Sequence, residues 1–203
     1  MIYLIRHGET TGNASRVVQL PGDSLSPRGV EQAERLADRL ERAGVAHIVS
    51  SDFARAATTA ECLRRTTSAP LSFEPLLQER NFGDLRGRPY AEFTFDPFAP
   101  EYAPPNGETW AQFHARVDAA WARVRNLADT IQGNLAVVTH GLVCRSLAAR
   151  HLLLPDGSIV PERWENTSLT IVDWPAPCRV HLLNCIAHLD DLERPRLADS
   201  GVA

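Results

Sequence analysis

Short apolar runs recur along the first part of the chain and are separated by amphipathic segments. Runs typical of buried strands lie at residues 1–6 (MIYLIR), at 46–50 (AHIVS) and near 71–75 (LSFEP). Each of the two longer intervening segments carries helix signals. The order strand, helix, strand, helix, strand predicts a parallel sheet with covering helices.

The two intervening helices have recognisable ends. The first is predicted to begin with Ser26 as its N-cap and Pro27 at the first helical position, and Gly44 marks its stop. The second is predicted to follow Ser51 and Asp52, which are both good N-cap residues, and to cover FARAATTAECLRR. The segment RHGETTGN, between the first strand and the first helix, is predicted to be a loop.

In the second part of the chain, the alternation of predicted strands and helices stops and then begins again. Residues 76–107 contain many aromatic residues, several prolines and three glycines, which indicates an insertion. A long amphipathic helix with an aromatic core face is predicted from Thr109 to near Gly133. After it come an apolar strand at 135–139, a helix over LVCRSLAARHLL, and strand-like runs at 168–174 and 179–185.

These elements predict an α/β fold, specifically a three-layer α/β/α sandwich with a mostly parallel central sheet. We expect residues 1–203 to form one domain, in which the insertion at about 76–107 covers the active site. Its aromatic residues form either an apolar lid for a bulky leaving group or, as we expect for most of them, packing within the insertion: Tyr90, Phe93, Phe95, Phe98 and Tyr102.

The amino-acid composition excludes several classes of active site. The chain has 44% hydrophobic and 23% charged residues, as globular proteins do, and its 21 basic residues are all arginine. Without lysine, it cannot form a Schiff base, anchor pyridoxal phosphate or build a nucleotide-binding P-loop. The net charge of −4 gives no general attraction for nucleic acid or anionic membranes, so a bound anion must be held by a local cluster.

Cysteine spacing and the N-terminus indicate a cytoplasmic protein. The four cysteines form no CxxC pair and no zinc-ribbon pattern, and they are predicted to be small buried hydrophobic residues: Cys62, Cys144, Cys178 and Cys185. The N-terminal segment MIYLIRHGET has neither a long apolar region nor a small-residue cleavage site, and no apolar run is long enough for a membrane span. We therefore predict no membrane or nucleic-acid partner.

Residues at three strand ends carry suggestive side chains. The first strand ends at Arg6, His7 and Gly8, the second leads to Ser51 and Arg55, and the strand at 135–139 ends at His140 and Gly141. Ligands of open α/β sheets bind at the carboxyl ends of strands, and paired arginines match the geometry of phosphate or carboxylate. The sequence therefore predicts an oxyanion site, although each histidine taken alone is more often a structural group.

Several motifs in order along nearly the whole chain resemble the histidine phosphatase superfamily, in the branch with cofactor-dependent phosphoglycerate mutases and small broad-specificity phosphatases. They are LIRHGET, TTGN, LSPRGVEQAERLADRL, SSDFARAATTA, LQERNFGDLRG, PPNGETWAQFHARV and VVTHGLVCRSLAA. RHG alone is a weak signal, whereas RHG, SDFARA, the acid of ERNFG and THG together are highly specific.

The resemblance implies roles for particular residues. His7 matches the nucleophile that becomes a phosphohistidine, and Glu79 matches the general acid, which needs a raised pKa that the apolar insertion can supply. Arg6, Arg55 and His140 match the pocket that grips the phosphate oxygens. The nearby arginines should favour the neutral form of His7.

Further residues take part by resemblance or by position. Asn13 matches an additional phosphate contact, and Arg80 matches a residue that touches the non-reacting end of the substrate, with a surface salt bridge as the equal alternative. Gly8 and Gly141 lack a Cβ, so their N–H groups could approach the anion at positive φ, although both could be simple turn glycines. Glu108 is predicted to be a first-turn helix charge outside the site.

The sequence departs from the family pattern at one position, and three alternatives to the favoured function stay open. FGDLRG places Arg86 where the family pattern has an acid, so substrates cannot be carried over from closer relatives. The favoured function is a metal-independent phosphomonoesterase without cofactors, acting on a small phosphate ester; a mutase-type phosphoryl transfer and a catalytically silent binding module are the alternatives. A metallohydrolase is disfavoured because no HExxH motif occurs. The substrate, whether sugar phosphate, phosphoglycerate, α-ribazole phosphate, nucleotide or phosphoamino acid, and the oligomeric state are not determined.

Overall fold

One six-stranded sheet forms the centre of the computed structural model, which describes residues 1–193. The strand order is β3–β2–β4–β1–β5–β6, where the strands are β1 (Ile2–Arg6), β2 (Val45–Ser50), β3 (Leu71–Phe73), β4 (Asn134–Thr139), β5 (Leu169–Val172) and β6 (Val180–Cys185). Strands β3, β2, β4 and β1 are parallel, whereas β5 runs antiparallel to β1 and β6 antiparallel to β5. The predicted mostly parallel sheet is confirmed.

Helices cover both faces of the sheet, which confirms the predicted three layers. The helices are α1 (Thr11–Ala14), α2 (Pro27–Leu40), α3 (Ala54–Thr67), α4 (Trp110–Thr130), α5 (Gly141–Arg150) and α6 (Asp190–Glu193). Leu36 of α2 and Leu63 of α3 pack in one buried cluster with Ile5, and Phe113 of α4 and Leu147 of α5 pack in another with the neighbouring Leu4. Alternate residues of β1 therefore serve opposite core layers.

The predicted start of α2 is correct, but the helix ends before the predicted stop at Gly44, and the predicted cap of α3 is wrong. Ser26 caps α2 by accepting a hydrogen bond from Gly29 N at 3.0 Å, and that helix ends at Leu40. At α3 the N-cap is Phe53, which makes no side-chain cap hydrogen bond. The predicted cap Asp52 accepts a hydrogen bond from Gln78 Nε2 at 2.7 Å instead. The predicted loop RHGETTGN also contains α1, which Thr10 caps.

The insertion contains three short 3-10 helices, at Pro75–Leu77, Gly83–Leu85 and Tyr90–Glu92. Its aromatic rings pack on one another: the ring centroids of Phe93 and Phe95 lie 5.3 Å apart, and those of Phe95 and Tyr102 lie 4.8 Å apart. Packing thus accounts for most of these rings, as expected. Among residues 1–193, no helix combines the length and the apolar character that crossing a membrane requires.

Candidate functional site

The three predicted strand ends meet at one edge of the sheet. Strand β4 lies between β1 and β2, and parallel neighbours end at the same edge. The rings of His7 and His140 consequently meet edge to face, with centroids 5.1 Å apart. His140 Nε2 lies 2.8 Å from Ser51 Oγ, so the ends of β2 and β4 are joined directly. His7, Ser51 and His140 therefore lie in one cluster, although 44 residues separate the first two and 89 separate the last two.

The contacts of His7 determine which of its nitrogens carries the proton. Nδ1 lies 2.7 Å from the carbonyl oxygen of Gly8, and a carbonyl can only accept, so Nδ1 is the donor. Nε2 lies 3.2 Å from Arg55 Nε, which is a donor, so Nε2 accepts. The buried, neutral ring therefore has its lone pair on Nε2, on the side of the arginine.

Two arginines flank this lone pair. Arg55 is almost fully buried and also donates from Nη1 to the carbonyl of Leu20 at 2.9 Å, and burial lowers its pKa to about 10. Arg6 donates from Nη1 to the carbonyl of Trp164. Its buried Nε has no hydrogen-bond partner among the described residues. Both guanidinium groups are positively charged at neutral pH and present forked donors suited to phosphate oxygens.

Both histidines are kept neutral. Burial lowers the pKa of His7 well below its ordinary value, and the charges of Arg55 and Arg6 lower it further. The pKa of His140 is depressed in the same direction, first by burial and then by Arg55. The expected direction for His7 agrees with this, but burial, rather than the arginines, is the larger cause. A neutral imidazole retains the lone pair that a nucleophile needs.

Glu79 lies at the inner end of the insertion and lines the same cavity as His7. Its Oε1 accepts from Arg80 N at 3.1 Å, and its Oε2 accepts from Leu142 N at 3.2 Å. Burial raises the pKa of Glu79 although these two hydrogen bonds oppose the shift. A carboxyl group with a raised pKa can hold a proton closer to neutral pH and donate it, as a general acid must.

An ion pair outside the predicted site holds the backbone beside Glu79. Arg116 Nε and Nη2 donate to the two carboxylate oxygens of Glu108 at 2.7 and 2.8 Å. Arg116 Nη1 donates to the carbonyls of Leu76 and Gln78, both at 2.8 Å, and Nη2 to that of Glu79 at 3.2 Å. Glu108, predicted to be only a helix-dipole charge, is therefore a partner of this clamp, because its side chain turns toward α4 and the insertion.

Of the two glycines at the strand ends, only Gly8 is required by packing. Neither Gly8 nor Gly141 has a positive φ, so that expectation is wrong for both. A Cβ on Gly8 would lie 2.5 Å from the carbonyl oxygen of Gly29, and Gly8 N donates to Thr59 Oγ1 at 3.0 Å. Gly8 is thus required by the close approach of the loop to α2. A Cβ on Gly141 would make ordinary contact with the side chain of Arg6.

Asn13 and Arg80 line the cavity, and the side-chain oxygen of Asn13 and the guanidinium group of Arg80 already make hydrogen bonds within the protein. Asn13 Oδ1 accepts from Thr10 N at 3.2 Å as part of the α1 capping box. All three guanidinium nitrogens of Arg80 donate to backbone carbonyls, which belong to Pro97, Tyr102 and Glu108. Because Arg80 is buried, the surface salt bridge that we considered for it is wrong; its contact with substrate stays a prediction.

A cavity of about 1000 Å³ opens over His7 and is closed on one side by the insertion. A second cavity of about 710 Å³ lies beside it, and Phe53, Glu79 and Arg86 line both. Phe95 and Phe98, which are partly exposed, line the larger cavity together with Tyr90. The insertion therefore supplies an aromatic wall to the space above the nucleophile, in addition to its own packing.

Two residues that the sequence did not predict, Asn166 and Thr167, hold the backbone of His7. Asn166 Nδ2 donates to the carbonyl of His7 at 3.0 Å, and Thr167 N donates to the same oxygen at 3.2 Å. Both residues precede β5 and carry no local motif, so no sequence signal could have found them. Ser51 was placed at the strand end, but its hydrogen bond to His140 was not predicted.

The described residues offer no ready metal centre. Within residues 1–193, no group of three or more His, Cys, Asp or Glu side chains is arranged to hold a metal ion. The two histidines of the site are instead surrounded by arginines, whose charge repels a cation. The donor set therefore suits an anion better than a metal ion.

Comparison with known proteins gives a consistent result. The family model described as histidine phosphatase superfamily (branch 1) matches residues 2–185. The "Probable phosphoglycerate mutase GpmB" of Proteus mirabilis is 32% identical over 183 residues, covering 85% of this chain and 84% of that protein. The alpha-ribazole phosphatase from Shigella flexneri has a TM-score of 0.78 at 27% identity, covering 92% of this chain and 96% of that one. A mycobacterial glucosyl-3-phosphoglycerate phosphatase complexed with VO3 has a TM-score of 0.77 at 26% identity, with 91% and 98% covered.

Proposed function

The chain belongs to the histidine phosphatase superfamily, and on that basis we propose that it hydrolyses phosphate monoesters through a phosphohistidine on His7. The relatives include phosphatases and a mutase by name. Both activities share the transfer of a phosphoryl group to the enzyme. Hydrolysis then requires water as the second acceptor, whereas a mutase returns the group to the isomeric product.

In the first step, His7 Nε2 forms a bond to phosphorus as the ester P–O bond breaks. The proton of the Glu79 carboxyl group goes to the leaving oxygen, so an alcohol departs rather than an alkoxide. Arg6, Arg55 and His140 surround the phosphoryl oxygens and stabilise the charge that develops on them. The Nδ1 proton stays on the ring, held by the carbonyl of Gly8.

In the second step, the Glu79 carboxylate takes a proton from water as the water oxygen attacks phosphorus. The P–N bond breaks, inorganic phosphate is released, and Glu79 is again protonated. His7 regains its Nε2 lone pair and its hydrogen bond from Arg55. No metal ion or other cofactor takes part in this cycle, because arginine charges supply the stabilisation that a cation would give.

One observation carries the proposal: the fixed tautomer of His7 presents its lone pair to Arg55 in the same cavity as a carboxyl group with a raised pKa. A nucleophile and an acid in these protonation states suit phosphoryl transfer. A silent binding module would need neither the neutral histidine nor the protonated carboxyl. We further propose that small phosphate esters, rather than nucleic acid or membranes, are the partners, and that the protein acts in the cytoplasm.

The mutase is the second candidate, because a curated relative carries that name over 85% of this chain. A mutase must retain a substrate that is phosphorylated at two positions, which favours a basic insertion. The insertion here has only Arg80, Arg86 and Arg88 as basic residues, and Arg80 is engaged with carbonyls. We therefore favour hydrolysis.

A rapid-quench experiment tests the proposal. The metal-free enzyme is mixed briefly with a labelled phosphate monoester and denatured, and we expect label on the protein that survives alkali and is lost in acid. His7→Ala should abolish label and turnover, whereas His47→Ala, on β2 outside the cavity, should change neither. Label mapped to His140 or Ser51 would refute the assignment of the nucleophile.

Two further measurements separate the alternatives. Isomerisation of phosphoglycerate, without release of inorganic phosphate, would show a mutase. Activity that chelator removes and zinc or magnesium restores would show a metallohydrolase. Binding of phosphate esters with neither label nor turnover would show a silent module.

A further inference from the structure

The larger cavity is strongly basic although the protein is acidic. Seven arginines line it against three carboxylates, Glu79, Asp96 and Glu162, whereas the whole chain has a net charge of −4. Glu79 also holds a proton in the proposed cycle. One phosphoryl group does not require this excess of positive charge. We therefore ask which of the seven arginines already have a role or a partner within the protein.

Three of the seven are accounted for by the site itself. Arg6 and Arg55 flank His7, and Arg80 donates to backbone carbonyls. At the rim, Arg163 pairs with Glu165 at 3.4 Å. The remaining three, Arg16, Arg86 and Arg145, make neither an ion pair nor a side-chain hydrogen bond with the part of the chain that the structure describes.

Arg86 differs from the other two because it is half-buried, whereas Arg16 and Arg145 are exposed. Its guanidinium carbon lies 5.9 Å from the ring centroid of Phe53, and that of Arg55 lies 5.1 Å from the same ring. Phe53 thus connects Arg86 to the phosphoryl-binding arginine. Apart from this ring contact, the Arg86 guanidinium makes no ion pair and no side-chain hydrogen bond with the described residues, so its donors can bind an anion when ligand enters.

The space between Arg86 and the outer arginines has an aromatic wall. The ring centroid of Phe98 lies 5.8 Å from that of Phe82 and 5.7 Å from that of Tyr90, and all three residues line the cavity. A leaving group that occupies this space must therefore cover apolar rings. Its charged end would meet Arg86 at the inner side or Arg16 and Arg145 at the rim.

We propose that the leaving group of the substrate is a flat or apolar scaffold with a second oxyanion, and that Arg86 binds this oxyanion. The inference rests on the proposed phosphatase activity and adds the class of substrate to it. A carboxylate matches the guanidinium fork, which can donate two parallel hydrogen bonds. Arg86 is then a specificity-determining residue.

Two aryl phosphates with leaving groups of similar basicity test this inference. They are 3-carboxyphenyl phosphate and its neutral counterpart 3-(hydroxymethyl)phenyl phosphate. We expect kcat/KM of the unaltered protein to be at least about tenfold higher for the carboxylated ester, as a charged hydrogen bond allows. Arg86→Gln should remove most of this preference, and Arg86→Glu should reverse it. The exposed Arg88, which pairs with Glu92 outside both cavities, provides the control Arg88→Gln, which should leave the ratio unchanged.

The outcomes distinguish a failure of the proposed phosphatase activity from a failure of the proposed role of Arg86. If neither ester is hydrolysed, the proposed function itself fails and the inference falls with it. If both are hydrolysed with equal kcat/KM by the unaltered protein, the phosphatase stands and the inference is wrong. The inference is also wrong if Arg86→Gln lowers kcat/KM of both esters by the same factor, because a bound oxyanion must make the loss selective.

Discussion

Replacing Arg116 by glutamine removes the clamp beside the proposed general acid. The Arg116–Glu108 pair is only 18% exposed on each side, and the same guanidinium holds the carbonyls of Leu76, Gln78 and Glu79. Glutamine is shorter and neutral, so it cannot keep both ends of this contact. We expect two effects, one on stability and one on the position of Glu79.

The stability effect follows from burial. Breaking a buried ion pair by removing one partner costs about 3–5 kcal/mol, whereas an exposed pair contributes about 0–1 kcal/mol. At 18% exposure we expect the lower end of the first range, about 3 kcal/mol. For a chain of this length that corresponds to a Tm lower by roughly 6–12 °C.

A second pair of similar geometry supplies the control. Arg150 Nε and Nη2 donate to the two carboxylate oxygens of Asp118 at 3.0 and 2.6 Å, but these side chains are 42% and 35% exposed. Arg150→Gln should therefore cost at most about 1 kcal/mol. Thermal unfolding of both variants, each compared with the unaltered protein, measures the difference.

The catalytic effect should depend on the leaving group. A catalytic group displaced by 1 Å can cost about 100-fold in rate. Such a displacement of Glu79 should slow hydrolysis of an alkyl phosphate, which needs a proton donor, more than that of an activated aryl phosphate. If Arg116→Gln is as stable as Arg150→Gln, or if both substrates slow equally, the clamp does not act as described.

Four further predictions concern the site and the residues that support it. Glu79→Gln should lower the phosphoryl-transfer rate of a sugar phosphate far more than that of an aryl phosphate in a burst measurement; equal losses would remove Glu79 from the acid role. Because the pKa of His7 is lowered and that of Glu79 is raised, kcat/KM should fall on the acid side only well below the ordinary histidine range, and should fall on the high-pH side as Glu79 ionises. Glu79→Gln should remove the high-pH limb of this profile. Because an unfolded histidine binds a proton below about pH 6.5 and buried His7 does not, the free energy of unfolding should decrease as the pH falls below that value, with a smaller slope in His7→Gln. Gly29→Ala places a Cβ against the backbone of Glu9 and should lower the free energy of unfolding by about 1–3 kcal/mol. Gly22→Ala, which has open space around it, should not lower it. Equal midpoints of denaturant unfolding for the two variants would contradict the close approach of Gly29 to Glu9.

Local sequence patterns cannot predict hydrogen bonds between residues that are far apart in the chain. Ser51 is a residue type that often caps helices, but the N-cap position of α3 belongs to Phe53, which makes no side-chain cap hydrogen bond. The Ser51 hydroxyl instead accepts from Phe53 N at 3.3 Å and lies 2.8 Å from the distant His140 Nε2. Glu108 stands where a helix-dipole charge is common, but it pairs with Arg116 and Asn81. In each case a partner brought close by packing competes with the local interaction that the sequence pattern predicts.

The sequence alone predicted the order and type of most elements and the strand ends that lead to His7, Arg55 and His140. It could do so because hydrophobic periodicity is local, and because parallel neighbouring strands bring their carboxyl ends to one edge. The tautomer of His7, the steric need for Gly8 and the contact of Arg86 with Phe53 became visible only once the chain was folded. Those features depend on distances between residues far apart in the chain, which close packing of the layers fixes and no local pattern encodes.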